Sequence, residues 1–132
     1  MKFRNGFVSN SSSSSFVIGF KNEISENKLL ELFKTENKLL MGISKEIVSV
    51  IMNNASETSI AAILKDYYVN SIDELPTWYK KILNTASEKN FKIYTGYFED
   101  GGNGVDGIEA YLCHTEIIYE DDNMLFYKEN GY

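Results

Sequence analysis

The apolar residues of this chain follow two different periods, and this division constrains the fold more than any other feature. Between residues 25 and 89 they recur three to four positions apart, which predicts amphipathic helices. After Asn90 the period becomes two, as Phe91, Ile93 and Thr95 alternate with other side chains, and this predicts a strand. The Phe16–Phe20 run predicts another strand near the N-terminus. Strands therefore lie toward both ends, and helices lie between them.

The predicted elements fill the chain with short connections. Four helices are expected in the central part of the chain, over 26–35, over 44–52, from Ser56 and Glu57 to Asn70, and over 77–89. A short fifth helix is expected to start at Val105 or Asp106, and its Ile108, Tyr111 and Leu112 would face inward. Strands are expected over 3–8, 16–20, 91–99, 116–120 and 124–128, the last two joined by a turn at 121–123. We expect one α+β domain over residues 1–132, in which terminal strands form an antiparallel sheet and about four central helices pack on one face.

Charge is distributed unevenly along the sequence. Residues 97–132 carry nine acidic side chains and one basic one, Lys128, whereas the first 96 residues carry twelve basic and ten acidic ones. Because phosphate binding needs clustered Lys and Arg, nucleic acid is not expected to bind the acidic third. A surface that meets a basic partner is the functional interpretation, and a solvated acidic face is the alternative. The residues predicted to bind a partner are Tyr97, Tyr119, Glu120, Asp121 and Asp122.

Five consecutive serines, Ser11 to Ser15, separate two apolar segments near the N-terminus. The run is predicted to form a loop or irregular crossing between two strands. Gly19, in the strand that follows it, predicts either a bulge or a close approach of two backbones. A hydroxyl-rich loop near basic residues would suit a nucleotide or another anion, or covalent modification, and the alternative is a polar connector. The candidate ligand-binding residues are Lys2, Arg4, Ser11, Ser12, Ser13 and Ser14. No GK[ST] follows, so this is not a P-loop.

The glycine-rich stretch from Asp100 to Gly107 is predicted to be an acidic turn. Residues 101–109 fit one copy of a calcium-binding nonapeptide, but that motif requires tandem copies. Oxygen ligands with one imidazole would nevertheless suit a divalent metal, and the candidate ligands are Asp100, Asp106, Glu109 and His114. The alternative is an acidic surface turn with a partly buried histidine. No other cofactor is indicated.

Cysteine content and hydropathy bear on the compartment. The chain has one cysteine, Cys113, so no internal disulfide is expected, and a reducing compartment fits. No signal peptide is recognisable, and no apolar run has the roughly 18 residues needed to span a bilayer. We therefore expect a cytoplasmic protein with no membrane association.

The string GFVSNSSSSSF, from Gly6 to Phe16, resembles an N-terminal signature of small, mostly uncharacterised bacterial and phage proteins. The resemblance covers about the first 18 residues and implies a phage or mobile-element setting rather than a reaction.

The sequence supports three hypotheses about function. The first is an accessory protein that binds a host macromolecule, most simply a protein, through the acidic, tyrosine-rich C-terminal surface. The alternatives are an anion-binding protein and a metal-dependent hydrolase. A non-enzyme is favoured, and homo-oligomerisation is left open.

Overall fold

A five-stranded antiparallel sheet organises the fold, and the strand that contains Ser12 to Ser15 lies at its centre. We describe residues 12–36, 43–100 and 107–128 of a computed structural model. The strands are β1 (Ser12–Phe20), β2 (Ser56–Thr58), β3 (Lys92–Asp100), β4 (Ile117–Glu120) and β5 (Met124–Lys128). The α-helices are α1 (Glu26–Glu36), α2 (Ser44–Asn54), α3 (Ile60–Asp66), α4 (Thr77–Glu88) and α5 (Gly107–Cys113), with a 3-10 turn at Ile72–Glu74.

The strand order is β2-β3-β1-β5-β4, so β1 pairs with β3 on one side and with β5 on the other. The register is continuous, and Ile18 lies opposite Tyr94 of β3 and opposite Phe126 of β5. The α+β class is therefore confirmed, and so is the sheet built from strands near both ends of the chain. The strand predicted over 3–8 lies outside the described residues.

Side chains alternate across β1, and this alternation produces two hydrophobic cores. Phe16, Ile18 and Phe20 face one core, where they pack beneath α1, α2 and α5. Val17 faces the other core with Ile93 and Leu125, beneath α3, the 3-10 turn and α4. The helices thus cover both faces of the sheet, whereas the sequence analysis expected one. The physical reason is that β1 is apolar on both faces, so one helical layer would leave Val17 and its neighbours in water.

The described part of the serine run, Ser12 to Ser15, is a strand rather than the predicted loop. Ser12 to Ser15 continue β1 and pair with the end of β3, from Asp100 to Tyr97. Serine has little preference for strands, but the β3 ladder satisfies the backbone of the run and determines its conformation. Phe16 to Phe20 belong to the same strand, as predicted.

The region predicted as a third helix from Ser56 to Asn70 contains two shorter elements. Ser56 to Thr58 pair with Thr95, Tyr94 and Ile93 of β3, and the helix begins only after Ser59. The Ser59 side chain accepts a hydrogen bond from the Ala62 N–H at 3.1 Å, so Ser59 is the N-cap, and the predicted start at Ser56 and Glu57 is three residues too early. Tertiary pairing with β3 displaced the start of the helix.

Two helices end in the same left-handed motif with different residues at the critical position. After α3, the Val69 N–H donates to the Leu64 carbonyl and Tyr68 has a φ of 58°. After α4, the Phe91 N–H donates to the Ala86 carbonyl and Asn90 has a φ of 56°. These are Schellman motifs, which favour Gly or Asn at the left-handed position. Asn90 suits that conformation, whereas the tyrosine carries strain.

Two glycines allow close packing across the sheet. A Cβ on Gly96 would overlap the Asn54 carbonyl oxygen and lie 2.6 Å from the Phe16 ring. A Cβ on Gly19 would lie 3.0 Å from the Phe91 ring, and the continuous register shows no bulge there. Of the two alternatives predicted for Gly19, the structure therefore has the close approach.

Candidate functional site

The predicted anion site divides between described and undescribed residues. Lys2, Arg4 and Ser11 lie outside the described ranges, whereas Ser12 and Ser13 lie in β1. Ser14 is 4% exposed on the face that carries Phe16, and its hydroxyl oxygen accepts a hydrogen bond from the Lys128 side-chain nitrogen at 3.0 Å. The Ser14 hydroxyl is therefore a core group that holds a lysine.

Lys128 is the fully buried basic residue of the acidic third. The pairing of β1 with β5 places it opposite Phe16, and the alternation of β5 turns it toward the same core as Phe126. Its ammonium also donates to the Cys113 carbonyl at 3.0 Å, at the C-terminal end of α5. A helix C-terminus carries partial negative charge, so this carbonyl favours a cation. Lys128 thus ties together β1, β5 and α5.

The four candidate metal ligands are not brought together as a described cluster. Asp106 lies outside the described residues, and Asp100 is the last residue of β3. One carboxylate oxygen of Glu109 accepts the Glu99 N–H at 2.8 Å, which fixes the start of α5 against β3. His114 is exposed just after α5, where the sequence analysis expected partial burial. Within 12–36, 43–100 and 107–128, no group of three His, Cys, Asp or Glu side chains could hold a metal ion.

The acidic turn between β4 and β5 is bonded within the molecule. One oxygen of Asp121 accepts the N–H groups of Asn123 at 2.7 Å and Met124 at 2.8 Å, which stabilises the turn. The other accepts the Tyr119 hydroxyl at 2.7 Å and lies 3.9 Å from the Lys28 nitrogen. Burial acts to raise the pKa of the Asp121 carboxyl, but these hydrogen bonds and Lys28 outweigh it, and the pKa is lowered.

Glu120 and Tyr97 complete the predicted partner surface, and they lie far apart. Glu120 pairs with the Lys89 nitrogen at 2.9 Å, and Lys89 also donates to the Asp121 carbonyl. Tyr97 is 56% exposed on β3, near the opposite end of the sheet and three strands from β4, or about 14 Å at ordinary strand spacing. The structure therefore joins Tyr119, Glu120 and Asp121 with neighbouring Asp122, but does not join Tyr97 to them.

An apolar groove lies beside this turn, between α4 and the β4–β5 hairpin. Its volume is about 340 Å³. Its apolar walls are Trp78, Ile82, Ile118, Leu125 and Tyr127, and its polar edge carries Lys81, Thr85 and Glu120. Such a volume is at the lower end of the usual range for ligand pockets, and the groove suits a side chain or a short segment better than a large ligand.

Stacked rings build one wall of the groove. Trp78 stacks on Tyr127 with ring centroids 5.2 Å apart and on Tyr79 at 4.7 Å. Tyr79 is buried, and burial, with smaller contributions from Tyr67 and Asp66, raises the pKa of its hydroxyl far above the ordinary value. This packing holds the indole in place, so the wall is preorganised.

The other wall belongs to an edge strand. β4 pairs with β5 on one side, and no other strand of the described ranges pairs with its outer side. Ile118 lies opposite Tyr127, faces the groove and is 67% exposed. Ile118 and the groove together form an exposed apolar patch at the edge of the sheet.

The sequence contained part of the signal for this groove. Helical spacing identified Trp78 and Ile82 as one apolar side of α4, and alternation placed Ile118 within a strand. Neither pattern shows that β4 is an edge strand, because strand order depends on pairing between distant segments. The sequence therefore did not predict the groove, and its acidic residues predicted a partner site at the turn next to it.

Comparisons with protein-family models, curated proteins and solved structures found no match to this chain. In the part of the chain that the structure describes, no helix has the length and apolar character required to cross a membrane.

Proposed function

We propose that this protein is a non-enzymatic accessory protein that binds a protein partner in the groove between α4 and the β4–β5 hairpin. The observation that carries the proposal is the exposure of Ile118, at 67%, next to the preorganised Trp78–Tyr127 stack. An apolar anchor from a partner would cover this aliphatic side chain and fill the groove, which is how a few buried residues supply most of the affinity of an interface.

The acidic turn has a supporting role in this proposal. Asp121 orders the turn, and the Glu120–Lys89 pair joins β4 to the end of α4, so both groups hold the groove in shape. The exposed Asp122 adds negative charge beside the groove, which would speed encounter with a basic partner. A host protein as the partner, in a phage or mobile-element setting, is the expectation that comes from the Gly6–Phe16 resemblance.

Site-specific photocrosslinking in the natural host tests the proposal. A benzophenone amino acid replaces Ile118 in one variant, and in the matched control it replaces Ala61, which is exposed on α3. We expect a discrete crosslinked protein from position 118 and none from position 61. Crosslinking from both positions alike, or from neither, would contradict the proposed site.

A further inference from the structure

We infer that the partner binds as an extended peptide that adds a sixth strand beside β4, with an apolar side chain flanked at alternate positions by basic ones. This inference rests on the proposed function, because it specifies the occupant of the same groove.

The backbone of β4 offers hydrogen-bonding groups to a new strand. The Asp121 N–H donates to the Met124 carbonyl at 2.8 Å, which makes this pair the first hydrogen-bonded pair of the hairpin. Along an antiparallel ladder such pairs alternate with non-bonded ones. Tyr119 is therefore bonded to β5, whereas the N–H and carbonyl groups of Ile118 and Glu120 turn to the outer edge. An extended peptide would satisfy them, as in other cases of strand addition.

The side chains of β4 define what the peptide carries. Ile118 faces the groove, and Glu120, two residues later in β4, lies on the same face. Glu116 directly precedes β4 and is exposed, and continued alternation would place it on this face as well. An added strand places its own residues directly opposite these three. An apolar residue next to Ile118 would contact the groove, and Lys or Arg at one flanking position would meet Glu116. Lys or Arg at the other flanking position would share the Glu120 carboxylate with Lys89. Lys81, on the edge of the groove, can lay its methylene stem over the apolar side chain while its ammonium stays in water.

The same charges oppose a second copy as the occupant. If two β4 strands paired antiparallel around Ile118, Glu116 of each copy would lie opposite Glu120 of the other. Both contacts bring two carboxylates together with only Lys89 to offset the charge of Glu120, and like charges on an edge strand are a device that opposes self-pairing. A peptide with basic residues at these positions gains an attraction at Glu116 and a shared one at Glu120, so charge complementarity favours a basic, alternating partner over self-association.

Synthetic peptides test the inference on the full-length protein. Trp78 is the single tryptophan of the chain and lines the groove, so its fluorescence reports occupancy without a label. The probes are capped Thr-Lys-Thr-Val-Thr-Lys-Thr, the same peptide with both lysines replaced by glutamate, and the lysine peptide with an N-methylated backbone. We expect the lysine peptide to bind roughly tenfold more tightly than the other two at low salt.

Variants of the protein make the result specific. Glu116→Lys should weaken binding of the lysine peptide severalfold, whereas Glu57→Lys, on the opposite edge strand β2, should leave it unchanged. Equal affinity for all peptides, or no binding, would overturn the sixth-strand inference. A crosslink at position 118 would still support the groove as the binding site in that case. Failure of the inference and failure of the proposed function are therefore distinguishable. Self-association that is lost on Ile118→Glu would instead assign the edge to a second copy and overturn the inference.

Discussion

The side-chain nitrogen of Lys128 lies 3.0 Å from the hydroxyl oxygen of Ser14, and both side chains are buried between β1 and α5. A buried ammonium is tolerated only when its hydrogen bonds are satisfied, and the Cys113 carbonyl supplies another acceptor. The one basic residue of the acidic third is therefore an internal connection, and one serine of the run exists to receive it. This relationship explains why a polar segment lies in the central strand.

Removing the Ser14 hydroxyl should destabilise the protein. Ser14→Ala leaves the buried Lys128 ammonium with one acceptor fewer, and we expect a loss of about 1–3 kcal/mol in the free energy of unfolding. Ser15→Ala is the matched control, because Ser15 is exposed on the same strand, and its effect should stay within about 0.5 kcal/mol. Urea unfolding monitored by circular dichroism measures both variants. Equal effects would show that Ser14 has no special structural role.

Gly96→Ala should strongly destabilise the folded protein, although it adds only one methyl group. The new Cβ would overlap the backbone carbonyl of Asn54 and press on the Phe16 ring, and neither can move without disturbing α2 or β1. We expect the free energy of unfolding to fall by about 3 kcal/mol, which is at the upper end of the usual cost of adding a methyl group to a packed core. Gly107→Ala is the control, since nothing lies within 4 Å of its added Cβ, and it should be neutral or stabilising. A Gly96→Ala variant that melts at the wild-type temperature would contradict the packing described.

Tyr68→Gly should stabilise the protein, although it removes a large side chain. Tyr68 has a φ of 58° and is 94% exposed, so glycine relieves strain while little packing is lost. We expect the free energy of unfolding to rise by about 1 kcal/mol. Asn90→Gly, at the equivalent position after α4, should raise it by less, because asparagine tolerates this conformation. Thermal unfolding of the two variants gives the comparison. A lower melting temperature for Tyr68→Gly would mean that the tyrosine contributes contacts which outweigh the strain.

The Asp121 carboxylate should make stability depend on pH in the acid range. Its pKa is lower in the folded state than the ordinary value of 3.8, so the unfolded chain binds the proton more readily. Its contribution is complete above the unfolded pKa and is lost as pH falls through the folded pKa. Asp121→Asn lacks this titration, so the stability difference between wild type and variant should shrink from pH 6 to pH 2.5. Denaturant unfolding at the two pH values tests this, and a constant difference would contradict it.

Local patterns predicted most helices and strands because their causes are local. The spacing of Leu29 and Leu32 determines α1, and the alternation of Met124 and Phe126 determines β5. That same alternation carried a signal for the burial of Lys128, which is two residues beyond Phe126 on the core face, but the sequence analysis considered only its charge. The strand conformation of the serines and the start of α3 depended on pairing with β3, which is not a local property.

The candidate site was less predictable than the fold for a related reason. The groove exists because β4 lies at an edge and α4 crosses beside it, and both facts come from strand order. Charge density directed the sequence analysis to Tyr119, Glu120 and Asp121, which the structure shows bonded to one another or to Lys28 and Lys89. A count of acidic residues cannot distinguish carboxylates that hold a turn from those that face a partner.

Recovery of the crosslinked partner by variants of the purified protein tests the central claim most directly. Ile118→Glu should lose the partner, because it places a charge in the apolar groove, whereas Tyr97→Ala, an exposed aromatic at the distant corner of the sheet, should retain it. Both changes alter exposed side chains, so both melting temperatures should stay close to wild type. Retention of the partner by Ile118→Glu, together with its loss from Tyr97→Ala, would show that the groove beside β4 is not the binding site.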